Sequence, residues 1–190
     1  MTKRALSRKH IVTKSAEMFR HRSFTEVSMR DIARALNVKA ASLYNHISSK
    51  QEILELIIFD LVEIFITRIT NTQNKNIDIE SKLIEIIQTH IDIAINQPNA
   101  FATLNNDWKY LADEKKQVFI SRRIEYENKL KQIITEGQKN GAIRDQNPDI
   151  IIYMMLTSLR TLHLWYERQD QKQDTLMKQI PKMILYGVLP

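Results

Sequence analysis

The side chains with the most chemistry to offer are crowded between positions 28 and 50. Ser28, Arg30, Lys39, Ser42, Tyr44, Asn45, His46 and Lys50 bring hydroxyls, an amide, an imidazole and cations into one short stretch. Cations and hydroxyls take phosphate oxygens, and an Asn amide pairs bidentately with adenine, so this mixture suits nucleic acid. Ser42, Tyr44, His46 and Lys50 suit phosphate, and Asn45 suits a base edge. Ala40 and Ala41 between them are small enough for a helix to sit deep in a major groove.

Other chemistries are poorly provided for. Cysteine is absent, which removes disulfides, thiolate zinc sites and thiol nucleophiles. Three glycines in 190 residues leave little for a glycine-rich phosphate loop. The five histidines (10, 21, 46, 90 and 163) never fall three or four apart, as a helical metal site would require. Glu125 and Glu127 stand two apart and face different sides of a helix. The chain is expected to be no enzyme and to carry no cofactor or metal.

Charge separates the same stretch from the rest. The chain holds 28 Lys+Arg against 22 Asp+Glu, a net of +6. Residues 1–50 contain eleven basic and three acidic residues, a net of +8, and residues 51–190 carry −2. A basic head on a mildly acidic body points the head at a polyanion. Met1 to His10 is basic but leads into no apolar h-region. The most apolar stretch, Ile150 to Tyr166, contains Arg160 and His163 and follows Pro148, so it reads as a buried helix. A cytoplasmic protein that stays off the membrane is expected.

The elements that must position these groups are helices. Ser7 can cap a helix carrying Ile11, Ser15, Met18 and Phe19, and His21 to Thr25 breaks its periodicity. Ser28 with Asp31 approximates a capping box for a short helix that buries Ile32, Ala35 and Leu36. Asn37 stops it in the left-handed conformation that Asn tolerates. A second short helix, about 40–46, carries Leu43 and Tyr44. Ser49 with Glu52 is a full capping box opening a longer helix through Phe65. Two short helices and a tight turn in a basic segment make a helix-turn-helix, with 28–36 bracing and 39–46 entering the groove. The amino end of the Ser49 helix can offer N–H groups to a further phosphate.

Asn71 to Ile77 is the most polar connection and the expected domain boundary. It gives a DNA-binding head at 1–50, a connecting helix at about 50–70, and a body at 71–190. The body continues at helical spacing: Leu83 to Ala94, a short segment with Phe101, Leu104 and Trp108, and a long helix from Asp113 to Asn140 ended by Gly141. A helix opened by Asn147-Pro148 runs to about Arg168, and a last one spans roughly Thr175 to Val188 and is expected to kink or restart at Pro181. The expected fold class is all-α.

Residues 8–55 resemble the DNA-binding domain of the TetR family of bacterial transcriptional repressors. The run from Ala41 through Ser42, Leu43, Tyr44, Asn45, His46, Ile47, Ser48 and Ser49 to Lys50 matches the family's small-Thr/Ser-Leu-Tyr-x-His-Phe-x-x-Lys. Ser28-Met29-Arg30-Asp31-Ile32-Ala33 matches its Thr/Ser-x-x-Asp-Ile-Ala. The resemblance implies phosphate contacts from Ser42, Tyr44, His46 and Lys50, and base-edge or mixed contacts from Arg30, Lys39, Ala40 and Asn45, with Ser28 at the same surface. Ser23 and Asn37 stand where the family usually or often has glycine, which predicts local backbone strain. Lys39 replaces the usual Ser/Thr cap and leaves the base preference open.

The Pro148 helix is apolar nearly all round and must be covered on two sides. The resemblance implies that it and the last helix pair with their mates in a four-helix dimer interface, with Met155, Leu159, Leu162, Ile180 and Ile184 as interface candidates. It further implies a small-molecule pocket in the body, for which His90, Trp108, Tyr110, Tyr126 and His163 are candidates because each joins an apolar body to a polar tip. The expected protein is a homodimeric, ligand-responsive repressor on palindromic operator DNA. The alternative is a regulator of the same build controlled by a protein partner or by no effector.

Overall fold

A computed structural model describes residues 6–168 and 172–186. Within them the chain is helical, with no strand among the described residues. Ten α-helices follow in order: α1 Arg8–Glu26, α2 Met29–Ala35, α3 Ala40–Tyr44, α4 Lys50–Asn74, α5 Ile79–Asn96, α6 Pro98–Asp107, α7 Asp113–Lys139, α8 Pro148–Arg160, α9 Leu162–Tyr166 and α10 Gln173–Tyr186. A 3-10 turn, Trp108–Tyr110, links α6 to α7.

Caps form at Ser7 and Asn147, as expected, and a further one forms at Asp78. Ser7 Oγ accepts the His10 N–H (3.2 Å), Asp78 caps α5 through the Ser81 N–H (2.8 Å), and Asn147 caps α8 through the Asp149 N–H (2.9 Å) with Pro148 behind it. Gly141 takes φ +79° after α7, the left-handed stop glycine reaches without a Cβ penalty. Ile91, Ile93 and Ile95 alternate in sequence yet lie inside α5. The Pro148 helix is shorter than its apolar run: α8 ends at Arg160 and α9 restarts after Thr161. α10 continues through Pro181, and the expected end at Val188 lies outside the described residues.

The chain divides into two compact units, 1–62 with 99–120, and 63–98 with 121–190. The division falls inside α4. The polar stretch at 71–77 holds the end of that helix, which runs on to Asn74 because its last turns are tied to α5, and most of the turn that follows. Thr72 Oγ1 donates to Glu85 (3.0 Å), Lys75 Nζ donates to both Glu85 oxygens (2.8 Å), and Lys82 Nζ donates to the Gln73 carbonyl (3.0 Å). Residues 99–120, which the sequence assigns to the body, share the compact unit of the head.

In the first unit Ile11, Phe19, Ile32, Leu43, Ile47, Ile53 and Leu54 are almost wholly buried. Full burial of such side chains contributes about 1.5–3 kcal/mol each, which fixes the small helices that carry the polar groups. In the second unit α5 is central, contacted by α8, α9 and α10, with Ile86, Ile87, Ile91 and Ile93 buried along it. No helix among the described residues is long and apolar enough to cross a membrane.

Candidate nucleic-acid interface

The α2–turn–α3 unit is built from the inside outward. Ser28 and Asp31 form a reciprocal capping box: Ser28 N–H donates to Asp31 Oδ2 (3.0 Å), and Asp31 N–H donates to Ser28 Oγ (3.2 Å). The Ser28 hydroxyl also donates to Asp31 (2.5 Å), and these bonds hold the carboxyl below its usual range. The Ser28 side chain is thus committed to the cap. Asn37 closes α2 at φ 54°, and the Val38 N–H returns to the Ala33 carbonyl (3.0 Å).

α3 then presents two unlike faces. Leu43 and, just beyond the helix, Ile47 lie in the core. Lys39, Ala41, Tyr44, Asn45 and His46 are exposed, and Ala40 and Ser42 are half-buried. Tyr44 is 55% exposed, unusual for an aromatic side chain that has a core beside it. Arg30 and Arg34 project one turn apart on α2, both exposed. With Lys39 they surround a shallow open depression floored by Ala33, Val38 and Ala40. The structure thus gathers Arg30, Lys39 and Ala40 and adds Arg34, which motif matching passes over although its i+4 spacing from Arg30 was readable.

Lys50 is placed differently from the free cation expected. Its ammonium donates to the carbonyls of Phe24 (2.7 Å) and Val27 (2.7 Å) and lies 4.2 Å from the centre of the Phe24 ring. Burial pushes its pKa down, while two carbonyl acceptors and an aromatic face favour the charged form. Lys50 therefore ties the exit of α1 to the start of α4. The α4 terminus also departs from the expected box. Ser49 Oγ accepts the Glu52 N–H (3.1 Å), but the Glu52 carboxylate turns to the Ser48 N–H (2.7 Å), the Ser48 hydroxyl (2.6 Å) and Arg8. Those bonds hold Glu52 below its usual range and leave a carboxylate beside a terminus expected to meet phosphate.

The break in α1 is where strain resides. Ser23 takes φ 64°, ψ 152°, a region costing on the order of 1–3 kcal/mol for a residue with a Cβ. Asp107, at the end of α6 and buried, accepts the Ser23 hydroxyl (3.3 Å) and the Phe24 N–H (3.4 Å). Burial pushes the Asp107 carboxyl up, and these two bonds oppose the shift. No sequence motif marks Asp107, because its partners lie more than eighty positions away.

Of the body candidates, the structure brings together His90 and Tyr126. His90 Nε2 and Tyr126 Oη are 2.8 Å apart, and Phe65 packs against both rings at 4.6 and 5.9 Å between centroids. Burial pushes the imidazole down to about 4 and the phenol up, so both are neutral at pH 7. Trp108 and Tyr110 belong to the other unit, where Trp108 stacks on Phe119 (5.3 Å) and Tyr110 on Phe24 (5.9 Å). His163 is buried in α9. Among the described residues no group of three His, Asp or Glu is arranged to hold a metal ion.

The expected interface residues fall into two groups. Met155, Leu159 and Leu162 are 4%, 1% and 7% exposed, turned into their own unit, and Ile180 and Ile184 are half-covered. On α8 to α10 the exposed apolar residues are Ile150, Tyr153, Met154, Leu164, Trp165, Met183 and Tyr186. The helix is apolar nearly all round, so periodicity could not say which stripe α5 would cover.

Residues 11–57 match the family model of bacterial regulatory proteins of the tetR family, and residues 76–188 match the tetracyclin repressor-like C-terminal domain. The transcriptional repressor KstR2 of Rhodococcus jostii is 21% identical over 177 residues, covering 92% of this chain and 87% of that protein. The ketosteroid transcriptional regulator KstR2 of Mycobacterium tuberculosis superposes with a TM-score of 0.88 at 16% identity, over 96% of this chain and 95% of that one. AibR, solved with isovaleryl coenzyme A and operator DNA, gives a TM-score of 0.82 at 17% identity, over 96% and 99%. With a head built as a capped helix-turn-helix and both halves matched, the chain belongs to the TetR family of bacterial DNA-binding transcriptional regulators.

Proposed function

We propose that the protein is a homodimeric repressor that grips a near-palindromic operator through α3 and releases it when a small molecule occupies the body. The observation that carries the DNA reading is the split of α3, with Leu43 in the core and Lys39, Ala41, Tyr44, Asn45 and His46 open to solvent. Lys39, Arg30 and Arg34 supply sequence-independent attraction to phosphate, and Asn45 reads a base edge. Ser42, Tyr44 and His46 take phosphate. A two-fold pair of heads reads half-sites one DNA turn, about 34 Å, or a multiple apart. The exposed apolar residues of α8 to α10 supply the pairing surface. His90 and Tyr126, neutral and beside Phe65, support an effector that is mostly apolar with an uncharged polar group. AibR, solved with both a ligand and its operator, offers a parallel for one chain serving both.

Duplexes enriched from a random-sequence pool by the wild-type protein test this reading. Asn45→Ala should lower the preference for the enriched duplex over scrambled DNA by about 1–3 kcal/mol. Tyr44→Phe should weaken binding to both alike. An Asn45→Ala variant with an unchanged ratio would remove the base-reading role. A compound that raises the thermal midpoint and also releases the duplex supports effector control; a compound that raises it and leaves the duplex bound counts against that control.

A further inference from the structure

The junction between α1 and α2 is held by residues far along the chain. Ser23 sits at φ 64°, ψ 152°, which glycine reaches freely and a residue with a Cβ reaches only when its surroundings impose it. Asp107 supplies that imposition. Its Oδ1 accepts the Ser23 hydroxyl (3.3 Å) and the Phe24 N–H (3.4 Å), so one buried carboxylate grips the strained residue and the peptide that follows it. The flanking contacts come from the same segment. Asn99 Oδ1 accepts from Arg20 (3.2 Å), and the Tyr110 ring stacks on Phe24. All of these groups lie within the first compact unit. Phe24 is itself buried, and four residues later Ser28 caps α2. The backbone at Ser23 therefore sets the direction in which α1 hands the chain to α2 and α3.

We infer that Asp107 is a positioning residue for DNA binding: it holds Ser23 in its strained conformation and so aims the helix-turn-helix, while itself lying buried away from the DNA. The inference rests on the reading of residues 28–46 as the DNA interface. It makes a demand that a merely stabilising contact does not. Replacing Ser23 with glycine, which needs no help to adopt the conformation, must remove the need for Asp107.

The test is a double-mutant cycle read by DNA affinity, using a duplex enriched by the wild-type protein. Asp107→Ala should weaken binding about tenfold, equivalent to about 1.4 kcal/mol, and Ser23→Gly in that background should restore most of the loss. Asp107→Asn, which keeps the acceptor oxygen, should bind as the wild type does. Wild-type affinity for Asp107→Ala would overturn the inference, as would a double variant no tighter than Asp107→Ala. If Asp107→Ala does not fold, Ser23→Gly is compared with the double variant: equal affinities support the latch, and a loss in the double variant refutes it. Thermal midpoints of the same four proteins report the coupling without DNA. Absence of any enriched duplex would instead refute the DNA interface, and the coupling between Asp107 and Ser23 would still be measured.

Discussion

Lys50 offers the clearest contest between two readings of one residue. As a phosphate ligand it would matter only when DNA is present. As a tie between the α1 exit and α4 it matters to the free protein. Lys50→Met keeps the stem over Phe24 and removes the ammonium. The lost interactions are two bonds of 2.7 Å to carbonyls and a cation 4.2 Å from a ring centre. Hydrogen bonds to a charged group are worth about 1.5–3 kcal/mol each, and a cation–π contact adds about 0.5–1. Water can reach these carbonyls once the ammonium is gone, and burial of the charge already opposes the gain, so the net loss is about 2 kcal/mol. For a chain of this size that is a fall of about 4–8 °C in the thermal midpoint. Differential scanning calorimetry without DNA measures it, and a salt titration of DNA binding measures the rival. A phosphate ligand would reduce the slope of log affinity against log salt by about 0.9. An unchanged midpoint with a slope reduced by that amount would refute the tie.

Three other predictions concern the second unit. The folded His90 imidazole titrates at about 4, against 6.5 ordinarily, so between those values the unfolded chain binds a proton the folded chain refuses. Stability should therefore fall as pH drops from 6.5 towards 4, by about 3 kcal/mol in all. Urea titrations across that window should show the slope in the wild type and lose it in His90→Gln; equal slopes would contradict it. On α8, Tyr153→Asp should give folded monomers by sedimentation, because Tyr153 is 65% exposed. Leu159→Asp should instead unfold the body, since a charge forced into a core site typically costs about 4 kcal/mol or more. An undisturbed dimer for Tyr153→Asp would remove the proposed pairing surface.

Local signals carried most of the architecture. Ser7, Ser28, Asn147 and Gly141 mark helix ends because caps and left-handed stops are made by neighbours in the chain, and their chemistry is visible residue by residue. The strain anticipated at Ser23 and Asn37 is present at both as positive φ. The motif between Ser28 and Lys50 pointed to the family for the same reason: ten residues of one helix-turn-helix are read in order. Where the sequence misled, a partner outside the motif's own pairing decided. Glu52 completes its box with Ser48 rather than Ser49 and is shared with Arg8, and Lys50 points at Phe24 and Val27.

By itself, the sequence determined a basic helix-turn-helix on an all-α chain, because charge and 3.6-residue periodicity are properties of short segments. Tertiary packing decided which face of each helix is free. α8 carries apolar residues on its exposed face as well as its covered one, and only its seating on α5 makes Leu159 core and Tyr153 surface. Packing also decided which distant residue restrains the head. Asp107 and Ser23 are eighty-four positions apart, and no periodicity reaches across that distance. A backbone that strains one residue must find its compensation wherever the fold brings a partner close.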